Sequence, residues 1–301
     1  MEHWNEEHIP NQSDRQVIVT GANTGIGFET ARIMANKGAN VILACRNSEK
    51  GELAVRRILD QDSVAKVQFS RLDLADLDSV RDFSDKFLVE NKRLDLLINN
   101  AGVMMPPESK TKQGFELQFG VNHLGHFALT IQLLPLIIAT RKSRVVCVSS
   151  QAHRGGSIAF NDLNFKKRRY APWSAYSQSK LANLLFVLAL QKLLTGTTTI
   201  AVAAHPGWTG TDLQRTFTFA RLMNPFFAMS ATQGALPTLR AAVDQNVKGE
   251  DYYGPHGFAE MRGFPIKVMT SLAARNQEDA KRLWTASEAL TGVSFSETAP
   301  V

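Results

Sequence analysis

Short apolar runs without polar alternation recur along the chain, separated by longer stretches in which apolar residues stand three and four apart. Residues 16–20, 40–45, 67–71, 94–99, 144–149 and 200–204 are runs of the first kind, rich in Val, Ile and Leu. Such runs predict strands covered on both faces. Residues 26–37, 48–60, 79–90, 115–136, 175–194 and 273–290 carry the second pattern and predict helices, with Ser48 placed to cap the second of them. Strand–helix repetition with right-handed crossovers builds a parallel sheet with helices on both sides. The expected fold class is therefore α/β, a single doubly wound parallel sheet.

No linker, low-complexity segment or repeat breaks this pattern. One domain over residues 14–290 follows, with flexible tails at 1–13 and 291–301. The last third is less regular. Phe217, Phe219, Leu222, Phe226, Phe227 and Met229 crowd residues 209–232 with weak periodicity. A loop after the sixth strand sits over the carboxyl ends of the strands, where open sheets bind ligands. It is expected to close as a lid over an apolar substrate.

Composition narrows the class. Hydrophobic residues make up 44% of the 301 and charged residues 21%, as in a soluble globular protein. The net charge of +6 is spread along the chain, which suits an anionic cofactor but is no nucleic-acid footprint. Lys166-Lys167-Arg168-Arg169 is the one tight basic run and reads as a solvated loop. Cys45 and Cys147 both fall in apolar runs, as buried thiols of a reducing compartment do. The first residues lack the apolar core of a signal peptide, and no run approaches the ~20 apolar residues of a membrane span. A cytoplasmic protein with no integral membrane segment is expected, and no His, Cys, Asp or Glu spacing suggests a metal.

Two constellations carry chemistry. Gly21, Gly25 and Gly27, with Asn23, Thr24 and Ile26 between them, follow a strand and open a helix. Such a turn lets backbone approach a pyrophosphate and points a helix start at its charge. The spacing is G-x-x-x-G-x-G. Arg46 ends the second strand where an NAD site usually carries an acid, and its planar fork can hold a 2′-phosphate. Lys50 stands near enough to assist or to be a solvated helix residue. The cofactor expected is NADP(H). Far downstream, Tyr176 and Lys180 stand four residues apart on a predicted helix and share one face. A nearby ammonium favours the phenolate, so Lys180 is expected to lower the Tyr176 pKa and tune it for proton exchange.

With these pieces stand Leu72-Asp73-Leu74, Asn99-Asn100-Ala101-Gly102, Val121-Asn122-His123, Val148-Ser149-Ser150 and His205-Pro206-Gly207. From Arg15 to Gly257 the chain resembles the short-chain dehydrogenase/reductases, a Rossmann-type family. Ala44-Cys45-Arg46 and Ser179-Lys180-Leu181-Ala182-Asn183 look most like its retinol-dehydrogenase and WW-domain-oxidoreductase-like branch, which mostly prefers NADP(H). The resemblance implies catalysis by Asn122, Ser150, Tyr176 and Lys180. Asp73 would accept from the adenine amino group, with Leu74 beside it. Asn99, Ala101 and Gly102 would line the cofactor and brace the sheet. Asn122 would hold a water linking Lys180 to solvent, and Ser150 would orient the substrate carbonyl. Tyr176 would donate or take the proton, and Lys180 would bind the nicotinamide ribose. Pro206, Gly207 and Thr209 would hold the nicotinamide end, with Thr211 a weaker candidate.

Simpler readings stand beside several of these. Asp73 could cap the following helix, and Asn122 could be a helix amide bonded to backbone. Adjacent strand residues point to opposite faces, so only one of Ser149 and Ser150 faces the cleft. His123, His126 and His205 read as structural. Twenty-six positions separate Ser150 from Tyr176, about twice the family's usual spacing, so residues 151–172 are expected to wall the substrate site. The resemblance further implies a small apolar carbonyl or alcohol substrate, with retinoids and steroids as branch examples, and a homodimer contact through the helices at 115–136 and 175–194. A dinucleotide-binding sensor without turnover is the alternative, since fold does not fix function. Reduction of a ring double bond is a third reading, and no cysteine in 177–290 supports it.

Overall fold

A computed structural model describes residues 3–209 and 229–295. The expected lid at 209–232 and the candidate Thr211 therefore fall almost wholly outside the described residues. Eight strands form one sheet: β1 (Gln16–Thr20), β2 (Asn40–Cys45), β3 (Lys66–Arg71), β4 (Leu96–Asn99), β5 (Arg144–Val148), β6 (Ile200–Ala204), β7 (Tyr252–Pro255) and β8 (Pro265–Lys267). Their order is β3-β2-β1-β4-β5-β6-β7-β8. All pairs are parallel except β7–β8, which is antiparallel. The order reverses between β1 and β4, which is where an open α/β sheet splays its loops into a crevice.

Among the described residues the longer helices are α1 (Gly25–Asn36), α2 (Ser48–Leu59), α3 (Leu77–Glu90), α4 (Leu117–Ala139), α5 (Pro172–Leu193), α6 (Ala231–Val243) and α7 (Gln277–Thr291). Asn47, rather than Ser48, caps α2 by accepting the amide of Lys50 at 2.8 Å. Buried side chains form one cluster on each face of the sheet. Ile18, Leu97 and Val145 point to the α3–α4–α5 side, and Val17, Val19, Leu96 and Ile98 to the α1–α6 side. Alternate strand residues thus feed opposite cores, as the two-sided apolar runs require. Among the described helices α4 alone is long and apolar enough to cross a membrane, but 78% of its apolar window is buried inside the fold.

One expectation changes here. The described part of the first tail is packed: Trp4 and Ile9 are buried against the α1–α6 core, and the amide of Gln12 donates to Lys37 O at 2.8 Å. Past α7, Val293 and Phe295 lie on the other core. The two helices implied as a dimer contact also pack against α7 of this chain. Trp284 of α7 packs on Phe127 and Phe186, with ring centroids 5.1 and 5.9 Å apart.

Candidate active site

The carboxyl ends of β1, β2, β4, β5 and β6 open into one cavity of about 790 Å³. Its first end is the glycine turn. A Cβ on Gly27 would lie 2.4 Å from Asn100 Nδ2 and 2.5 Å from Gly21 O, so no other residue fits there. Beneath the turn, Thr20 Oγ1 accepts the amides of Asn100 and Ala101, both at 2.9 Å, and Asn100 Nδ2 donates to Thr20 O at 2.8 Å. One threonine thereby joins the ends of β1 and β4. Its hydroxyl also meets His126 Nε2 at 2.9 Å, and His126 Nδ1 meets Asn122 O at 3.1 Å. Burial drops the His126 pKa to about 4, which keeps it a neutral relay of hydrogen bonds.

Gly21, Asn23, Thr24, Gly25, Ile26 and Gly27 all line the cavity, as do Arg46, Asp73, Leu74, Ala101 and Gly102. Arg46 is exposed at the rim beside Asn47 and Lys50. Asp73 accepts the amide of Ala75 through Oδ1 at 3.0 Å, while the cap of α3 is Asp76. Asn99 is a correction. It does not line the cavity; it is buried beneath it and donates to Thr130 Oγ1 at 2.9 Å. Asn100 lines the cavity in its place, because adjacent strand-end residues point to opposite sides.

At the other end Ser150, Tyr176 and Lys180 meet. Ser149 turns away, donating to Lys180 O at 2.8 Å, whereas Ser150 lines the cavity with Tyr176 and its hydroxyl accepts the Ala152 amide at 3.2 Å. Lys180 Nζ donates to Val148 O at 3.0 Å and stands 5.7 Å from the centre of the Tyr176 ring. The expected lowering of the Tyr176 pKa is not found. Burial pushes it up to about 12, with Ser150 acting the other way, and burial pushes Lys180 down to about 8. Desolvation dominates both groups, since burial disfavours the charged form of each.

Asn122 lies in a single π turn, Gly120–Leu124, a distortion that recurs at functional sites. Its Oδ1 accepts the Val103 amide at 2.8 Å, and its Nδ2 donates to Val103 O at 3.0 Å and to Ser179 Oγ at 2.9 Å. These bonds make it a brace between the β4 loop and α5. Pro206, Gly207 and Thr209 line the cavity, and Thr209 Oγ1 donates to Pro206 O at 3.0 Å. His123 meets Ser287 Oγ at 2.8 Å and His205 meets Glu260 at 2.9 Å, both in structural contacts.

Sequence reasoning missed much of the substrate end: Met104, Met105, Trp173, Trp208 and Met261 line it too. Trp173 was within reach. It precedes Tyr176 by three on α5, and the two rings lie 6.4 Å apart. Of the long insert, Gln151, Ala152 and Arg154 line the cavity. Its middle packs elsewhere: Asp162 accepts the amides of Lys166, Lys167 and Arg168, and Phe160 lies under Arg282 at 4.1 Å. The basic run is thus wound on one aspartate, and only the start of the insert reaches the cavity.

A dinucleotide turn joined to a Ser–Tyr–Lys cluster by one cleft in a doubly wound sheet defines an oxidoreductase architecture. Residues 15–221 match the family model for short chain dehydrogenase, and the chain belongs to that family, in its retinol-dehydrogenase branch. It is 45% identical over 283 residues to retinol dehydrogenase 12 of Mus musculus, covering 93% of this chain and 87% of that protein. To retinol dehydrogenase 11 of Homo sapiens it is 44% identical, covering 92% and 86%. Among solved structures, a putative uncharacterized protein from Mycobacterium paratuberculosis matches with a TM-score of 0.84 and 43% identity over 98% of this chain and all of that one. A putative short chain dehydrogenase from Shigella flexneri, complexed with NADP, matches at 0.62 with 26% identity over 80% of this chain and 97% of that one. The chain is therefore an oxidoreductase of CH–OH and C=O groups.

Proposed function

We propose that the enzyme uses NADP(H) to reduce the carbonyl of a small apolar substrate, or to oxidise the matching alcohol, with Tyr176 handling the proton. The observation that carries this reading is the single cavity running from Arg46 and the glycine turn to Ser150, Tyr176 and Lys180. The residues present fit the cofactor: Gly27 leaves no room for a Cβ, as a pyrophosphate cradle needs, and Arg46 offers a cation at the ribose end. Bound NADPH would supply hydride to the carbonyl carbon. Ser150 and Tyr176 would hold the carbonyl oxygen between two hydroxyls. Burial keeps the Tyr176 phenol protonated at neutral pH, the form that can give its proton to the carbonyl oxygen in reduction. Lys180 would grip the ribose. Met104, Met105, Trp173 and Trp208 give the far end an apolar wall. The relatives' names point to retinoids as substrates to try first.

The test is NADPH and NADH consumption with a panel of apolar aldehydes, ketones and retinoids. NADPH should serve at lower concentration than NADH. Tyr176→Phe should leave NADPH binding nearly unchanged and cut turnover by about 100-fold or more. A Tyr176→Phe enzyme that keeps most of its activity on a good substrate would refute the mechanism.

A further inference from the structure

We propose that Glu260 is a positioning residue: it fastens the loop 257–263 to the strand ends that carry Ser150 and Gly207, and so holds the substrate wall made by Ala259 and Met261. This inference rests on the reading of that cavity end as the substrate site.

The loop needs such a fastening. None of residues 256–264 is buried, and Phe258 is 85% exposed. Apolar packing therefore holds it only at its base, where the partly buried Phe264 stacks on His3 and His256. Its backbone also opposes its own shape. Ala259 has φ 49° and ψ 28°, and Glu260 has φ 54°. Neighbouring non-glycine residues in the left-handed region persist only where the surroundings over-determine them, and such residues gather at functional sites. Yet Ala259 and Met261 both line the cavity.

The Glu260 carboxylate supplies the constraint. It accepts from His205 Nε2 at 2.9 Å, from Arg154 Nη2 at 3.0 Å and from Gln151 Nε2. Each partner belongs to a strand end of the site. Gln151 follows Ser150 directly, and Arg154 Nε donates to Gln151 Oε1 at 2.7 Å. His205 precedes Pro206-Gly207, and its Nδ1 accepts the Gly207 amide at 3.3 Å. One neutral tautomer, with the proton on Nε2, satisfies both histidine contacts. The peptide next to Glu260 completes the joint: Trp208 N donates to Met261 O at 2.7 Å. Gly207 has φ +67°, and a Cβ there would stand 2.5 Å from Met261 O, so the two loops are in backbone contact. One carboxylate thus ties the end of β5, the end of β6 and the loop between β7 and β8.

Glu260→Gly tests this without opposing the fold, because glycine accepts the left-handed backbone while the carboxylate is lost. Three quantities are measured: hydrogen exchange at the Trp208 amide, Kd of NADPH, and the NADPH-dependent kinetics of decanal together with its binding to the non-reacting NADP+ complex, the latter by quenching of tryptophan fluorescence. The expected result is Trp208 exchange faster by tenfold or more. KM and Kd for decanal should rise at least tenfold, kcat should change by less than threefold, and NADPH Kd should stay within twofold. Unchanged Trp208 exchange would overturn the fastening. Faster exchange with decanal KM and Kd within twofold would overturn the positioning role. A parallel weakening of NADPH and decanal with a lower Tm would show a fold strut instead, and would also overturn it. If the unaltered enzyme turns over no carbonyl, the functional reading fails, whereas the exchange measurement still decides whether Glu260 holds the loop.

Discussion

Lys180 shows at the scale of one residue how function is placed against stability. Its ammonium is buried, and Val148 O at 3.0 Å is its one hydrogen-bond partner among the described residues. A buried cation without a carboxylate costs free energy, and burial accordingly moves its pKa from 10.5 down to about 8. The sign follows directly. Between about pH 8 and 10.5 the unfolded lysine holds its proton while the folded one has lost it. The unfolded state then binds more protons, so stability rises with pH across that window. Below about pH 8 both states are charged and the whole penalty stands. Lys180→Met keeps the stem and removes the charge. We expect a higher Tm at pH 7, a flatter stability profile between pH 8 and 10.5, and loss of turnover. Thermal melts of both proteins from pH 6.5 to 10.5 check this, and a lower Tm for Lys180→Met at pH 7 would contradict it. A stabilising change that destroys activity is the expected signature of a site residue.

At the scale of the element, the segment before β1 is the instructive case. Charged and polar residues dominate its sequence, which reads as a tail. Its few apolar side chains decide otherwise. Trp4 is 4% exposed and lies under Arg240 of α6, whose guanidinium carbon is 5.9 Å from the ring centre. Asn5 starts a short 3₁₀ turn, Glu6–His8, accepting the Glu7 amide at 3.1 Å. Hydrophobic period needs several turns to be visible, and one tryptophan and one isoleucine supply none. We expect Trp4→Ala to destabilise the protein by about 3–5 kcal/mol, the range for emptying a large aromatic site in a core. Urea unfolding measures it. A loss under 1 kcal/mol would mean the segment does not pack in solution as it does here.

For the whole molecule, what the sequence disclosed follows the same physics. The first six strands and the glycine turn were legible because apolar runs and φ-demanding glycines are local signals. So were Ser150, Tyr176 and Lys180, which their motifs brought to one cleft end. The strands β7 and β8 were not, since Tyr252–Pro255 and Pro265–Lys267 are short and carry Gly254, Pro255 and Pro265. Pro237 and Gly234 hid α6 in the same way. The apolar wall and the Glu260 joint depend on contacts between distant loops, which no local pattern encodes. The same long-range packing bears on assembly. Along α5 the side chains from Ala175 to Leu188 are buried within one chain. The α7 residues Leu283 and Trp284 and the insert residue Phe160 pack on the same core. A second copy would have to displace that apolar cover and re-expose it to water, at ~25 cal/mol for each Å² uncovered. We therefore expect no dimer through α4 and α5. Lys192 is exposed near the end of α5, so Lys192→Cys marks the border of that face. Under mild oxidation this variant should stay un-crosslinked on a non-reducing gel at micromolar concentration. Rapid formation of a covalent dimer that Trp284→Arg prevents would show that the face opens after all.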